Sequence, residues 1–295
     1  NSVMKTTIAN DYLEIIVKSK GAEICFLLHK TTNIQHIWQA DPAFWPKHSP
    51  ILFPVVGVVN EGTYTLDGKT YQMPKHGFAR DNEFELVEQT ATSLTYCLSS
   101  NSKTLKNYPF EFDLFLSYQL EGRKLIFDYK VVNKGNSIMY FSLGGHPAFA
   151  YPFLSNEQLT DYVLKFSEKE TVDKLLLNVS TGLFTGKVEE KALDNEDTIA
   201  LTNETFNQDA LVFEGLSSKT VQICSEKNEH SLTFDFSNWK YLAFWSAPKA
   251  PYVCIEPWFG LADFEGASGD ITTKTGIEKL AGNTTFSASY SVEVK

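Results

Sequence analysis

Two short segments, far apart in the chain, each place one ionisable side chain directly before a proline. Residues 144–149 read Gly-Gly-His-Pro-Ala-Phe, and residues 254–259 read Cys-Ile-Glu-Pro-Trp-Phe. A following proline disfavours helical geometry, so we expect His146 and Glu256 on extended backbone among apolar neighbours. An imidazole and a carboxylate presented in this way could act together as a general acid–base pair.

Each of these residues also has a purely structural interpretation. His146 follows two glycines, which permit unusual backbone conformations and close approach of another group. A structural histidine in a tight turn and a histidine at the floor of a site are about equally favoured. Glu256 follows the apolar residues 252–255. It could be an edge-strand residue facing solvent, but a desolvated carboxylate becomes a stronger base, and such groups cluster at functional sites.

A second candidate segment, residues 75–80, reads Lys-His-Gly-Phe-Ala-Arg. His76 and Arg80 could donate hydrogen bonds to an oxygen-rich ligand, and a solvated loop is the alternative. Arg80 needs an explanation because the chain has only one other arginine, Arg123. The remaining histidines lack metal-binding spacing, and the phosphate-binding, dinucleotide and serine-hydrolase motifs are missing, so we expect neither a metal nor a cofactor.

The elements that must position these residues are β-strands. Apolar and polar residues alternate with a period of two in several stretches, which predicts antiparallel sheets with one buried face. We therefore expect an all-β protein built as one large sandwich of stacked sheets, in a single domain over residues 1–295, with two β domains as the alternative. The stretches are 93–98, 112–118, 124–131, 221–224, 231–236 and 288–294.

Composition narrows the possible partners and the cellular location. The chain has 26 Lys and Arg against 36 Asp and Glu, a net charge of −10, which disfavours binding to nucleic acid. No apolar run is long enough to span a membrane, and no secretory signal is visible, so we expect a cytoplasmic protein. Four scattered cysteines predict no disulfide framework. We expect a monomer or a homodimer.

The candidate segments together resemble those of aldose 1-epimerases, and most closely the LacX-type branch of the galactose mutarotase-like superfamily. Besides residues 75–80, 144–149 and 254–258, three further segments fit this family: 51–57 (Ile-Leu-Phe-Pro-Val-Val-Gly), 62–64 (Gly-Thr-Tyr) and 208–213 (Gln-Asp-Ala-Leu-Val-Phe). They follow the family's order and cover nearly the whole chain.

The resemblance implies a β-supersandwich fold and interconversion of the α and β anomers of a free hexose, with no metal or cofactor. It implies that His146 is the general acid and Glu256 the general base. It also implies that His76 and Asp209 hold sugar hydroxyls and that Arg80 lines the site. Trp258, Trp245 and Phe259 are candidates for stacking on the sugar ring.

The chain departs from the family pattern at positions where relatives often carry arginine. Val58 stands after the Phe-Pro-Val-Val-Gly segment, and Lys47 and His48 stand before it. With fewer arginines for phosphate recognition, a phosphorylated sugar is the less favoured substrate. The alternatives are therefore a hexose-6-phosphate 1-epimerase and a non-catalytic carbohydrate-binding protein. A glycosidase is weaker still, because it usually needs two carboxylates.

Overall fold

The computed structural model describes residues 4–295, and its architecture is all-β. The strands, in chain order, are β1 (Lys5–Ala9), β2 (Leu13–Lys18), β3 (Glu23–His29), β4 (Ile34–Gln35), β5 (Thr63–Leu66), β6 (Lys69–Gln72), β7 (Glu85–Gln89), β8 (Ser93–Ser99), β9 (Phe112–Glu121), β10 (Lys124–Asn133), β11 (Met139–Phe141), β12 (Leu143–Gly144), β13 (Ala148–Ala150), β14 (Tyr162–Leu177), β15 (Phe184–Ala200), β16 (Leu211–Glu214), β17 (Thr220–Ser225), β18 (Ser231–Asp235), β19 (Tyr241–Trp245), β20 (Tyr252–Phe259), β21 (Glu278–Leu280) and β22 (Thr285–Val294). The helical elements are α1 (Thr104–Asn107) and four short 3₁₀ turns, at Asn60–Gly62, Ala79–Asp81, Leu159–Asp161 and Ile271–Thr273.

Most strands belong to one large antiparallel sheet. Its main path runs β12-β20-β19-β16-β14-β17-β18-β22-β10-β9-β8-β7, with β13 paired to β20 and β15 paired to β14. A second sheet has the order β1-β2-β3-β4, and two small ribbons pair β5 with β6 and β11 with β21. The prediction of an all-β fold with large antiparallel sheets is therefore confirmed.

The alternation in sequence becomes alternation in burial. Strands β2, β9 and β10 each bury every second side chain along most of their length. The buried faces of the four-stranded sheet and of the large sheet contribute to one apolar cluster, so the small sheet packs against the large one. A buried hydrogen bond from the Tyr118 hydroxyl on β9 to the carbonyl of Ala22, the residue before β3, links the large sheet to the turn that leads into the small one (2.6 Å).

Strand β20 is buried along its entire length and pairs with β19 on one side and with β12 and β13 on the other. Its side chains divide between two environments. Val253, Ile255 and Phe259 belong to the main core. Cys254 and Trp258 lie on the opposite face, in smaller apolar clusters, and Glu256 lies between them in sequence on that same face.

Among residues 4–295, no helix has the length and apolar character needed to cross a lipid bilayer. The expectation of a single domain over residues 1–295 stays a prediction.

Candidate active site

The register of the large sheet brings the two X-Pro segments together. In the pairing of β12 and β13 with β20, Gly144 lies opposite Trp258 and Ala148 lies opposite Cys254. The same antiparallel register continues between these pairs and places His146 opposite Glu256. The proposed acid and base are thus cross-strand neighbours, although they are far apart in sequence.

The two prolines shape this part of the ladder. The Gly145 N–H donates to the Pro257 carbonyl (3.1 Å), and the Ile255 N–H donates to the Pro147 carbonyl (3.2 Å). Each proline lacks the N–H that would complete the reciprocal bond. The residues between these two positions, His146 and Glu256, therefore form a pair without mutual backbone hydrogen bonds, the type in which cross-strand side chains lie closest.

The His146 and Glu256 side chains are in direct contact. His146 Nε2 lies 3.2 Å from Glu256 Oε1, and the two residues are only 6% and 2% exposed. The Trp45 ring stacks on the imidazole with ring centroids 4.9 Å apart, and Trp245 approaches it edge-on at 5.9 Å. The pair is therefore held between strands and enclosed by indoles.

This enclosure changes the proton affinity of both groups. Burial lowers the pKa of His146 to about 3, and the nearby cations Arg80 and Lys75 act in the same direction. Burial raises the pKa of Glu256 well above its usual value, and Asp209 adds to the rise. The Trp258 indole N–H lies near the carboxylate and partly opposes that rise, although its geometry falls short of a hydrogen bond. Both shifts have one main cause, the loss of water around a charged form.

The two glycines before His146 are needed for close approach. A Cβ on Gly145 would lie 2.7 Å from the Tyr290 ring, and one on Gly144 would lie 2.8 Å from Cδ1 of Trp258. Neither glycine has a positive φ angle. The sequence offered two reasons for these glycines, an unusual backbone conformation and the close approach of another group. The structure supports the second.

All six residues predicted for the site line one cavity of about 700 Å³. They are His76, Arg80, His146, Asp209, Glu256 and Trp258. The volume is within the usual range for small-molecule sites, about 300–1,000 Å³. The sequence segments therefore converge on a single pocket, with His146 and Glu256 at its floor.

His76 lies beside the acid–base pair, in a tight turn. Its φ angle is +63°, and Gly77 after it has φ +75°, where an added Cβ would meet the Phe53 carbonyl oxygen at 2.1 Å. The Gly57 N–H donates to His76 Nδ1 (2.8 Å), so the ring proton of the neutral imidazole is on Nε2. Burial and the nearby positive groups keep the pKa of His76 well below its usual value. His76 is thus a neutral hydrogen-bond donor, with its ring centroid 5.6 Å from that of His146.

Arg80 and Asp209 line the cavity from loops. Arg80 donates from Nη2 to the Lys75 carbonyl (3.1 Å), and its Nε is buried without a partner among residues 4–295. Asp209 has a φ angle of +74° and accepts the Ala210 N–H at Oδ1 (2.7 Å), which leaves its other carboxylate oxygen available to a ligand.

Strand alternation separates the aromatic candidates for stacking. Trp258 and Trp245 line the cavity. Phe259 points to the opposite face of β20, where it packs against Trp239 and Phe286 in the main core. Its suggested role in stacking was therefore wrong, for the simple reason that successive strand residues face opposite sides.

Several lining residues were missed by sequence reasoning. Trp45 comes from an aromatic and proline-rich loop, Phe206 and Asn207 from the loop before Asp209, and residues 177–184 from the end of the β14–β15 hairpin. The pairing of that hairpin, which brings its tip to the pocket, is a long-range feature without a local sequence signal.

Of the three positions that depart from the family pattern, two line the cavity and one lies outside its lining. Val58 and Lys47 line the cavity. His48 instead contacts the Trp38 carbonyl through Nδ1 (2.7 Å) and Lys18 Nζ through Nε2 (3.0 Å). The cationic groups of the cavity are therefore Lys47, Lys75 and Arg80.

Comparison with known proteins agrees with this fold. A family model described as aldose 1-epimerase matches residues 4–275, and the chain belongs to that family. It is 30% identical to the chromosomal protein LacX of Lactococcus lactis subsp. lactis in an alignment of 298 positions that covers 99% of each chain.

Two solved structures have the same fold over nearly their full length. A galactose mutarotase related enzyme from Lactobacillus acidophilus is 32% identical, with a TM-score of 0.93 over 99% of this chain and 97% of that one. A galactose mutarotase-like protein from Lactobacillus casei ATCC 334 is 31% identical, with a TM-score of 0.92 over 99% and 100%. The resemblance inferred from the motifs is confirmed.

Proposed function

We propose that this protein is an aldose 1-epimerase that interconverts the α and β anomers of a free hexose. The observation that carries the proposal is the contact of 3.2 Å between His146 Nε2 and Glu256 Oε1 at the floor of the cavity. Mutarotation requires one group that accepts a proton from the sugar and another that donates one, and this pair supplies both.

In the proposed reaction Glu256 accepts the proton of the anomeric O1 hydroxyl while His146 donates a proton to the ring oxygen O5. The C1–O5 bond breaks, and C1 and O1 become the open-chain aldehyde. Rotation about C1–C2 presents the other face of the aldehyde to O5. The reverse transfers, from O5 to His146 and from Glu256 to O1, close the ring as the other anomer and restore both side chains.

The electrostatics of the floor support these roles. The pKa shifts favour a resting pair in which Glu256 holds the proton and His146 is neutral. Transfer of that proton across the 3.2 Å contact gives the reactive carboxylate and imidazolium, which are a stronger base and a stronger acid than the same groups in water. The neutral His76 and the free oxygen of Asp209 are suited to hydrogen-bonding sugar hydroxyls. Trp258 and Trp245 offer apolar faces for the C–H groups of the ring.

The direct test is polarimetry on freshly dissolved α-D-galactose and α-D-glucose. The wild-type protein should accelerate equilibration, and Glu256→Gln should lower the turnover rate by about 10²–10⁴-fold, the usual contribution of a positioned base. Glu88→Gln, the same chemical change on the exposed strand β7, is the matched control and should keep the wild-type rate. An unchanged rate in Glu256→Gln would show that the base is misassigned.

A hexose-6-phosphate 1-epimerase is the second candidate, because three cationic residues, Lys47, Lys75 and Arg80, line the cavity. Rates on glucose and on glucose 6-phosphate separate the two. A preference for the phosphate ester that collapses in Arg80→Ala would reverse our ranking. Saturable sugar binding without any acceleration would instead indicate a carbohydrate-binding protein.

The remaining expectations about context stay predictions. They are a sugar as the only type of partner, a cytoplasmic location, and a monomeric or homodimeric state.

A further inference from the structure

A third group with metal-binding chemistry lies beside the acid–base pair and is not used in the proposed reaction. Cys254 precedes Glu256 by two residues on β20, so both side chains point to the same face of the sheet. Its Sγ, the His146 ring nitrogen and a Glu256 carboxylate oxygen all lie within 4.8 Å of one another, and all three residues are buried.

We infer that His146, Cys254 and Glu256 form a binding site for a thiophilic divalent cation of the Zn²⁺ type, and that the bound cation inhibits the epimerase. The inhibitory effect rests on the function proposed above, whereas cation binding does not. The cation would be bound by the same imidazole and carboxylate atoms that exchange protons with the sugar, and it would therefore block proton transfer.

The geometry of the pair already suits such an ion. Zinc binds imidazole nitrogen and carboxylate oxygen at about 2.0–2.1 Å, so two such ligands in a tetrahedral site lie about 3.3 Å apart. His146 Nε2 and Glu256 Oε1 are 3.2 Å apart. The thiolate bond is longer, about 2.3 Å, which places sulfur about 3.5 Å from the other ligands. Since the three candidate ligand atoms lie within 4.8 Å of one another, the Cys254 sulfur needs to move by about 1.3 Å at most. His146 and Glu256 line the cavity, from which a fourth ligand such as water can come.

The donor set selects among cations. One sulfur, one nitrogen and one oxygen ligand favour Zn²⁺, Co²⁺ or Cd²⁺, whereas Mg²⁺ and Ca²⁺ prefer sites made only of oxygen. Binding replaces the thiol proton of Cys254 and the proton shared by His146 and Glu256, and these protons pass to solvent.

The surroundings indicate a reversible inhibitor rather than a resident metal. A ligating histidine is normally fixed by a hydrogen bond from its other ring nitrogen. Within residues 4–295, Nδ1 of His146 is buried without a partner. We therefore expect the ion to be removed by a chelator and the activity to return.

Binding can be tested without any assay of activity. Titration of the full chain with Co²⁺ should produce thiolate-to-cobalt charge-transfer absorption that saturates at one equivalent and disappears when Zn²⁺ is added. Cys254→Ala should lose this absorption, and Cys224→Ala, a partly buried cysteine on β17, should keep it. Absorption that persists in Cys254→Ala, or that never forms in the wild type, would overturn the site.

Inhibition is tested by polarimetry with Zn²⁺ and then with EDTA. Zn²⁺ should slow the wild-type reaction and EDTA should restore it. Cys254→Ala should retain its basal rate and require at least about tenfold more Zn²⁺ for the same inhibition, as is typical when a metal site loses a supporting group. Cys254→Ser, which preserves side-chain volume, repeats the test if the alanine variant folds poorly. Equal Zn²⁺ sensitivity in both variants and wild type would refute the inference, whereas no acceleration by wild type on any hexose would refute the proposed function alone.

Discussion

The floor and the rim of the cavity are built in different ways. At the floor, His146 and Glu256 are fixed by the register of β20 with β12 and β13, and both are almost completely buried. At the rim, His76, Arg80 and Asp209 come from turns and loops, and two of them, His76 and Asp209, adopt positive φ angles.

This difference separates two tasks. The floor excludes water, and that exclusion is the main cause of the opposite pKa shifts of the acid and the base. The rim presents hydrogen-bonding and charged groups around an open space, where they can select a sugar without taking part in proton transfer. We therefore expect substitutions at the floor to change turnover and substitutions at the rim to change binding.

The largest expected effect is at the floor. His146→Asn removes the proposed acid and should lower kcat by about 10²–10⁴-fold with a smaller change in KM. His230→Asn, at a histidine outside the cavity, is the control. The measurement is polarimetry at several sugar concentrations. A large rise in KM with an unchanged kcat would show that His146 acts in binding. The floor and the rim would then no longer differ in the kinetic constant that their substitutions change.

A smaller effect is expected at the rim. Asp209→Asn weakens a charged hydrogen bond to the sugar, an interaction worth about 1.5–3 kcal/mol, and should lower kcat/KM by about 10- to 100-fold, mainly through KM. Asp194→Asn, on the exposed part of β15, should have no effect. If Asp209→Asn instead lowered kcat alone, the aspartate would belong with the catalytic floor.

The smallest effect is on stability and again concerns the floor. Because the folded protein raises the pKa of Glu256 above its usual value of 4.5, it holds this proton more tightly than the unfolded chain does. The resulting stabilisation is full below that usual value and is lost as the pH rises through the raised pKa. Glu256→Gln has no ionisable group at this position, so its stability does not include this pH-dependent loss. Its Tm relative to wild type should therefore increase from about pH 5 to about pH 8 in thermal unfolding. A relative Tm that falls over this range would contradict the desolvation argument.

The sequence predicted the floor better than the rim, for physical reasons. The period-two alternation in β9, β10 and β22 predicted the sheets, and the X-Pro segments indicated extended backbone at His146 and Glu256. That these two residues lie opposite each other depends on a register between distant strands, which the family resemblance suggested and local patterns did not. The contributions of Trp45 and of the β14–β15 hairpin tip depend on how loops and hairpins fold back over the sheet, so they could not be predicted locally.

The central claim is that His146 and Glu256 act as one proton-transfer unit. A double-mutant cycle with His146→Asn, Glu256→Gln and the combined variant tests it most directly, with turnover followed by polarimetry. Residues that act as a unit have strongly non-additive effects on rate. We predict that the double variant loses only about as much activity as the more damaged single variant. Losses that multiply across the two substitutions would show that the groups act independently and would contradict the account.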